Sequence, residues 1–387
     1  MPRSLPALAR QRVACHHRAG PLRGPIGKLN FFMLEIGAVA TESISVEGMD
    51  NLEAFVSALP KVELHVHMVG SAPIETVLGL AGRHPGRGVP ATTEELREFY
   101  VFRDFPHFID VYAAVTRLIS EPEDIADLIR GVAANLAAQR VRYAEFQFGP
   151  YAFQRAGMPD AVITEALDIG TRYALAECGV RIGWIIEFPG QAADSHARAA
   201  LRLALENPPE GLVGFGIGGI EAGRAPFTAL IRDVFRAAHA AGLRCNPHAG
   251  ENSGAETVWE AVSHLHAERI GHGIRSLDDP ALVAYLAERQ LPVDVAPTSN
   301  VCTRCVPSIA EHPLRDMIEA GLFVTLNSDD PPMFGTSLSN EYLVAGRDLG
   351  FSPAELAALA ANGVRASFLD EPTKEALLAE IAAVPLP

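Results

Sequence analysis

The sequence lacks the features that mark secreted, membrane-spanning and nucleic-acid-binding proteins. Its five cysteines among 387 residues are odd in number and scattered, so we expect no disulfide framework and a cytoplasmic location. No apolar run approaches the length of about 18 residues that a transmembrane helix needs, so no membrane partner is expected. Acidic side chains outnumber basic ones, 47 to 32, which gives a formal net charge of −15. This balance argues against a nucleic-acid partner, which needs a basic face, but leaves an uncharged nucleoside open.

The N-terminal region also lacks the pattern of a signal peptide. It is basic, but its one apolar stretch is ended by Glu35 before it reaches the about seven residues that such a peptide needs. We therefore expect residues 1–48 to be a disordered extension, or to result from a translation start placed too early. Met33 or Met49 would then be the true start. Residues 49–387 are expected to form a single domain.

From residue 50 onward, short apolar runs alternate with longer helical stretches rich in alanine and leucine. The predicted strands are 61–66, 142–148, 181–188, 212–217, 243–248, 269–271, 292–296 and 322–327. The predicted helices between them include 123–139, 160–177, 194–205, 228–241, 255–265, 279–288 and 312–320. This alternation indicates a parallel sheet, and eight strands predict an α/β fold of the closed (β/α)₈ TIM-barrel type. An open doubly wound sheet is the alternative, but no Gly-x-Gly-x-x-Gly turn follows the first strand.

Two regions extend the predicted barrel. Segment 82–110 is longer than an ordinary connection and is rich in aromatic residues: Phe99, Tyr100, Phe102, Phe105 and Phe108. These side chains would either pack a helix against the barrel or form an apolar lid over a planar substrate. Extra helices are predicted after the last strand, at 354–360, 363–368 and 373–382.

Clusters of polar residues follow four of the predicted strands. They are His65-Val66-His67, His248-Ala249-Gly250-Glu251, His272-Gly273 and Ser328-Asp329-Asp330-Pro331. Active-site residues of a (β/α)₈ barrel lie at the carboxyl ends of its strands, so we expect these clusters to meet. The two residues of the His-x-His pair point to the same face of their strand because side chains alternate. Three imidazoles and a carboxylate are what a catalytic zinc site needs.

We assign His65, His67, His248 and Asp329 to one metal ion. Nitrogen and oxygen ligands without thiolate suit Zn²⁺, although iron, manganese and nickel remain open by ligand type. Such an ion lowers the pKa of a bound water towards neutrality.

Three further residues are candidates for catalysis. Glu251 lies three residues past a predicted ligand and is placed to act as a general acid or base. Its alternative role is that of an exposed carboxylate favoured by the helix dipole. His272 is expected to be a base or an orienting group for the water. The side chain of Asp330 should project differently from that of Asp329 and contact the substrate.

These motifs also match a known family. The matching segments are Leu59–His67, His248–Glu251, Arg269–Gly273, Pro297–Asn300, His312-Pro313 and Ser328–Pro331. Over roughly residues 55–370 the chain resembles the adenosine deaminase family of the amidohydrolase superfamily.

The resemblance implies a role for each site residue. It implies zinc at the four assigned ligands, protonation of the purine N1 by Glu251, addition of hydroxide to C6 with help from His272, and a hydrogen bond from Asp330 to N7. It further implies that the backbone N–H of Gly219 contacts N3. The family's lid corresponds loosely to the segment around Phe99, Phe102 and Phe105.

The departures from the family pattern concern the sugar side of the substrate. Adenosine-specific members usually follow His-x-His with Leu-Asp-Gly, and this Asp contacts the 5′-hydroxyl; here the residues are Met68-Val69-Gly70-Ser71. Val69 would leave a 5′-hydroxyl unpaired, at a cost of roughly 1–3 kcal/mol. Gly216 stands where the family often has an aspartate, and we expect it to widen the pocket.

The chain also resembles the actinobacterial aminodeoxyfutalosine deaminase subgroup of the futalosine route to menaquinone. The substrate of that subgroup carries a 3-carboxybenzoyl group on the 5′ side of the sugar. Val69 and the aromatic segment would face its ring. Arg103, Arg142 or Ser71 would meet its carboxylate.

The leading hypothesis is a zinc-dependent hydrolytic deaminase of a 6-aminopurine nucleoside, with 6-amino-6-deoxyfutalosine ahead of adenosine. The alternatives are an amidohydrolase that cleaves another C–N bond, such as a lactam, and a non-catalytic binding protein. The last requires a lost ligand or acid, and none is missing. The expected partner is the small-molecule nucleoside, and the sequence does not indicate an oligomeric state.

Overall fold

A computed structural model describes residues 46–190, 194–223 and 226–387. The predicted N-terminal extension, residues 1–48, lies almost wholly outside the described residues and stays a prediction. The first described helix begins at Val46.

The described chain contains one barrel of eight parallel strands, each paired with the next in chain order. The strands are β1 (Lys61–His67), β2 (Val141–Phe148), β3 (Arg181–Pro189), β4 (Leu212–Gly218), β5 (Arg244–Ala249), β6 (Ile270–His272), β7 (Val293–Val295) and β8 (Val324–Leu326). A parallel bridge between Val66 and Asp329 connects the chain just past β8 to β1. The (β/α)₈ prediction is therefore confirmed, and the doubly wound alternative is wrong.

Sixteen α-helices are present in the described ranges. They are α1 (Val46–Ala58), α2 (Ile74–Arg83), α3 (Thr93–Phe99), α4 (Phe105–Thr116), α5 (Pro122–Ala138), α6 (Tyr151–Arg155), α7 (Asp160–Cys178), α8 (Asp194–Glu206), α9 (Ala229–Ala240), α10 (Ala255–His264), α11 (Pro280–Arg289), α12 (Pro297–Cys302), α13 (Leu314–Glu319), α14 (Leu338–Arg347), α15 (Pro353–Ala366) and α16 (Glu371–Ala382). None of these helices combines the length and apolarity needed to cross a membrane.

The C-terminal helices are present but are divided differently from the prediction. The predicted helices 354–360 and 363–368 form one helix, α15, which ends at Ala366 and begins with a capping box between Ser352 and Glu355. Gly363 lies inside this helix, where a Cβ atom would come within 2.8 Å of Val62 Cγ2 in β1. The glycine therefore permits close packing of α15 on the barrel, and it does not end the helix.

The interior of the barrel is polar below the site. Arg269 is fully buried, contacts Glu145, and places Nε 2.6 Å from Asp294 Oδ2. On β1, Glu63 accepts a hydrogen bond from Ser328 Oγ at 2.6 Å, while Val62 packs outwards on α15. The alternation of β1 thus directs Glu63, and with it the two histidines further along, into the barrel.

Candidate active site

The four predicted metal ligands meet at the carboxyl end of the barrel. The Nε2 atoms of His65 and His67 lie 3.5 and 3.3 Å from Asp329 Oδ1. The Nε2 atom of His248 lies 3.3 Å from that of His67. Ring nitrogens of His65, His248 and His272 also lie within 4.8 Å of one another, so His272 lies beside the same centre. Strands β1, β5 and β6 and the end of β8 thus contribute to one centre.

Hydrogen bonds orient two of these ligands from behind. His67 Nδ1 lies 3.1 Å from Glu187 Oε1 in β3, and His248 Nδ1 donates to the carbonyl oxygen of Ile217 at 2.9 Å. Each ring thus carries its proton on Nδ1 and directs the lone pair of Nε2 towards the centre.

The donor set fits a divalent transition metal. Two Nε2 lone pairs facing each other at 3.3 Å repel unless a cation lies beside them. His65 is fully buried, yet neither of its ring nitrogens has a hydrogen-bond partner among the described residues. Asp329 supplies the carboxylate, and Ser299 Oγ donates to its Oδ2 at 2.6 Å. Three imidazoles and one carboxylate are a set that zinc accepts.

The backbone is strained at two of the site residues. His272 has φ 62° and Asp329 has φ 65°, in the left-handed region that residues other than glycine rarely adopt. Each such residue costs of order 1–3 kcal/mol. Backbone hydrogen bonds to β1 hold Asp329 in place: its N–H donates to the carbonyl of His65 at 2.9 Å, and its carbonyl accepts from the N–H of His67 at 3.0 Å.

Glu251 lies in a loop that a second glutamate holds in place. Glu221, just past β4, accepts hydrogen bonds from the N–H groups of Gly250 (2.9 Å) and Glu251 (3.0 Å). Glu221 was not predicted from the sequence. Glu251 itself is buried, and its Oε1 lies 3.7 Å from His272 Nε2. The alternative role of Glu251, an exposed carboxylate at a helix N-terminus, is therefore wrong, because Glu251 is buried and α10 begins only at Ala255.

Burial, together with the negative charge of Asp329, raises the pKa values of Glu251 and Asp330 well above the ordinary values of these carboxyl groups. At Glu251 the charge of Glu221 adds to the effect. Asp330 is buried, and its Oδ1 has no hydrogen-bond partner within the described part of the chain. Both groups are therefore poised to be protonated and to donate a hydrogen bond.

A chain of hydrogen bonds assigns the proton of His272. The backbone N–H of Leu314 donates to His312 Nδ1 at 3.2 Å, so His312, which burial keeps neutral with a pKa of about 4, carries its proton on Nε2. That proton is donated to Asn300 Oδ1 at 3.1 Å, and Asn300 Nδ2 donates to His272 Nδ1 at 3.2 Å. Burial, followed by the effect of His65, lowers the pKa of His272 to about 3. Neutral His272 therefore presents an Nε2–H to the centre.

A cavity of about 690 Å³ opens above this centre. Its closed end contains His67, His248, Glu251, Asp329 and Asp330, and its walls include Val69 and Gly219. Gly219 has φ 88°, a conformation that glycine adopts without strain. A cavity of this size and mixed character is typical of a small-molecule site.

Comparison with known proteins agrees with this geometry. The family model for adenosine deaminase matches residues 60–384. The chain belongs to the adenosine deaminase family. It is 49% identical to aminodeoxyfutalosine deaminase of Streptomyces coelicolor over 86% of each chain. The crystal structure of adenine deaminase from Arthrobacter aurescens aligns with a TM-score of 0.80 at 34% identity, covering 84% of this chain and 98% of that one. An amidohydrolase from Burkhoderia ambifaria with bound Zn aligns with a TM-score of 0.79 at 31% identity, covering 88% and 93%.

The protein is thus a hydrolytic deaminase, and its aromatic segment contributes to the cavity in part. Phe105 and Phe108 of α4 line the cavity. Phe102 does not; its ring packs against those of Phe108 and Phe334, with centroids 5.3 and 5.8 Å away. Phe99 is half-buried against the core and also lies outside the wall. Packing against neighbouring elements is therefore shown for Phe102, while a lid over a planar substrate stays a prediction, for which Phe105 and Phe108 are the side chains that reach the cavity.

Other residues proposed for the sugar side of the deaminase lie elsewhere. Ser71 Oγ donates to the carbonyl of His67 at 2.6 Å, and Ser71 is not part of the cavity wall. Arg142 is the second residue of β2, at the opposite end of the barrel, and pairs with Glu380 at 3.1 Å. Arg103 is exposed and does not line the cavity. Gly216 does not line the cavity, and the space beside it is taken by the carbonyl oxygen of Asn246 in β5 and by the side chains of Ile185 and Glu187 in β3.

The cavity of the deaminase instead contains polar residues that the sequence analysis did not single out. They include Glu187 on β3, Gln147 on β2, Arg117 after α4 and Arg155 in α6. Glu187 and Gln147 lie near the carboxyl ends of their strands. That position relative to a predicted strand is the signal that would have found them.

Proposed function

We propose that this deaminase removes the 6-amino group of a purine nucleoside with an apolar extension at C5′, with 6-amino-6-deoxyfutalosine as the substrate and zinc as the metal. Val69 carries the proposal. It is buried, apolar and part of the cavity wall just past His67. A free 5′-hydroxyl beside it would lose its hydrogen bonds to water, at a cost of roughly 1–3 kcal/mol.

His65, His67, His248 and Asp329 would hold the zinc ion. When bound, this metal supplies a water that is acidic enough to add to a carbon atom near neutral pH. The net reaction takes up one water at C6, leaves a carbonyl there and releases ammonia.

Side chains of the cavity position the purine and move the protons. Glu251 in its acid form donates a proton to N1, which makes C6 more electrophilic. Asp330, also in its acid form, donates a hydrogen bond to N7. The backbone N–H of Gly219 contacts N3. His272 donates from Nε2 and orients the incoming oxygen, which favours the orienting role over that of a base.

The relatives support the same substrate. Identity to the Streptomyces coelicolor protein named aminodeoxyfutalosine deaminase is 49%, against 34% for the Arthrobacter aurescens adenine deaminase. A free adenine base would leave most of a cavity of about 690 Å³ to water.

Parallel kinetics on four compounds test the proposal. We expect kcat/KM for aminodeoxyfutalosine to exceed that for adenosine by at least about tenfold, which equals roughly 1.4 kcal/mol. Methylthioadenosine, with a short apolar 5′ group, should fall between them, and adenine should be the poorest. Equal or higher kcat/KM for adenosine or adenine would refute the substrate while leaving the deaminase activity intact.

Substitution of Val69 tests whether this residue determines the preference for an apolar group at C5′. Val69→Asp should raise kcat/KM for adenosine and lower it for aminodeoxyfutalosine, because a carboxylate accepts from the 5′-hydroxyl and opposes an apolar group. Val69→Leu is the matched apolar control and should keep the wild-type order of substrates. An unchanged ratio in Val69→Asp would show that this residue does not contact the 5′ side.

A further inference from the structure

We infer that Arg155, supported by Arg117, forms a cationic subsite at the mouth of the cavity that recognises a carboxylate carried on an apolar spacer beyond the sugar. The inference rests on the proposed function, because it concerns the distal end of the same substrate. It assigns a role to two arginines that line the cavity. Unlike the residues of the metal centre they are exposed, and they lie far from those residues in the sequence.

The charges of the cavity wall are segregated. Its carboxyl groups (Glu187, Glu251, Asp329 and Asp330) surround the metal ligands at the closed end. Its two arginines are exposed, so they lie where the cavity opens to solvent. Among the described residues neither guanidinium pairs with a carboxylate; the nearest polar contact of Arg155 is the hydroxyl of Tyr151 at 3.5 Å. Two arginines in one cavity that have no carboxylate partner among the described residues suit an anionic group of the ligand.

The wall between the two ends is largely apolar. Phe105 and Phe108 of α4, which are buried, and Ile109 and Ala113 of the same helix, which are half-buried, line this stretch. A phosphate attached directly to C5′ would lie among these side chains, away from the cations. The arrangement therefore favours an anion separated from the sugar by an apolar group. Such a ligand is an aryl carboxylate.

Gln147 gives an independent indication of a ligand. It is 1% exposed, lines the cavity, and neither its Nε2 nor its Oε1 has a hydrogen-bond partner within the described residues. A buried amide without partners is costly, so a polar ligand group is expected to supply them. Its register partner on β1 is His67, which places it beside the metal end, where a sugar or its first substituent would lie.

Matched ligands separate charge from shape. Affinities of metal-loaded Glu251→Gln protein are measured by titration calorimetry for aminodeoxyfutalosine, its carboxamide analogue and AMP. We expect the carboxylate to bind about tenfold more tightly than the carboxamide, roughly 1.4 kcal/mol. Adding Arg155→Gln should remove most of this difference, and Arg117→Gln a smaller part. Arg172→Gln, which removes an exposed arginine that faces Glu210 on the outside, is the matched control and should remove none.

The outcomes separate this inference from the proposed function. Equal binding of carboxylate and carboxamide, or a preference that survives Arg155→Gln together with Arg117→Gln, overturns the subsite even if aminodeoxyfutalosine is deaminated well. Binding of AMP as tight as that of the carboxylate identifies a 5′-phosphate as the anion and also overturns it. An Arg155-dependent preference in a protein that turns over adenosine faster refutes the proposed substrate and leaves the subsite standing.

Discussion

Replacement of Gly70 by alanine should impair the site although no ligand or catalytic residue is itself replaced. A Cβ atom at this position would lie 1.6 Å from Asp330 Oδ1 and 2.6 Å from Asp330 Cβ. Rotation of the Asp330 side chain removes the first clash but not the second, because Cβ moves only with the backbone. Since real Cβ contacts essentially never fall below 3.0 Å, the two segments must separate by at least 3.0 − 2.6 = 0.4 Å.

This displacement would act on two functions at once. Asp330 would lose its position against the purine, and Asp329 beside it would be moved relative to the other ligands. A misplacement of 1 Å can cost about 10²-fold in rate, so a shift of 0.4 Å alone accounts for less than about tenfold, and the loss of one hydrogen bond adds roughly 0.5–1.5 kcal/mol. We therefore expect kcat/KM for Gly70→Ala to fall by about 10–10²-fold and the metal to be bound more weakly.

The assay is ammonia release from aminodeoxyfutalosine, together with elemental analysis and thermal unfolding of the same samples. The control is Gly79→Ala in α2, where a Cβ atom would meet nothing within 4 Å. That variant should keep wild-type kinetics and gain roughly 0.5–1 kcal/mol, because alanine is the better helix former. A folded Gly70→Ala protein with wild-type kcat/KM and metal content would refute the reasoning.

Three further changes test other parts of the molecule. His67→Ala should lose both metal and activity, as elemental analysis and ammonia release will show; an active, metal-free variant would contradict the ligand assignment. Glu251→Gln should keep its metal and its affinity for substrate, while kcat falls by roughly 10²–10⁴-fold. Because the acid form of Glu251 is the active one, the wild-type rate should decline as pH rises through its raised pKa, and this limb should be absent from the pH profile of the variant. Arg269→Met leaves two buried carboxylates unpaired and should destabilise the protein by roughly 3–5 kcal/mol, seen as a lower Tm in a calorimetric scan. An unchanged Tm would show that the barrel interior tolerates these charges.

The parts of this protein that local patterns control were predictable from the sequence. Short apolar runs predict strands, and the spacing of apolar residues predicts helices. The predicted bounds of all eight strands therefore differ from the observed bounds by at most two residues. The His-x-His pair was informative because alternation within a single strand directs both rings to one side. The carboxyl ends of parallel strands gather at one end of a barrel, which allowed distant clusters to be assigned to one metal centre.

Contacts between segments far apart in the chain required the tertiary structure. Glu187 supports His67 across 120 residues of sequence, and the path from His312 through Asn300 to His272 exists only because β6 and the chain after β7 lie side by side. Nothing in the local sequence of either histidine shows which ring nitrogen carries the proton. Only the fixed direction of a backbone N–H decides that.

The arginines show the same division. Arg142 and Arg155 are 13 positions apart, yet one enters β2 at the base of the barrel and the other leaves α6 at the mouth of the cavity. The residue types and strand positions that make a deaminase were set by the sequence alone. Which cation faces the substrate, how much of the aromatic segment reaches it and how large the cavity is depended on barrel closure and helix packing, because these fix distances between segments that the chain does not join directly.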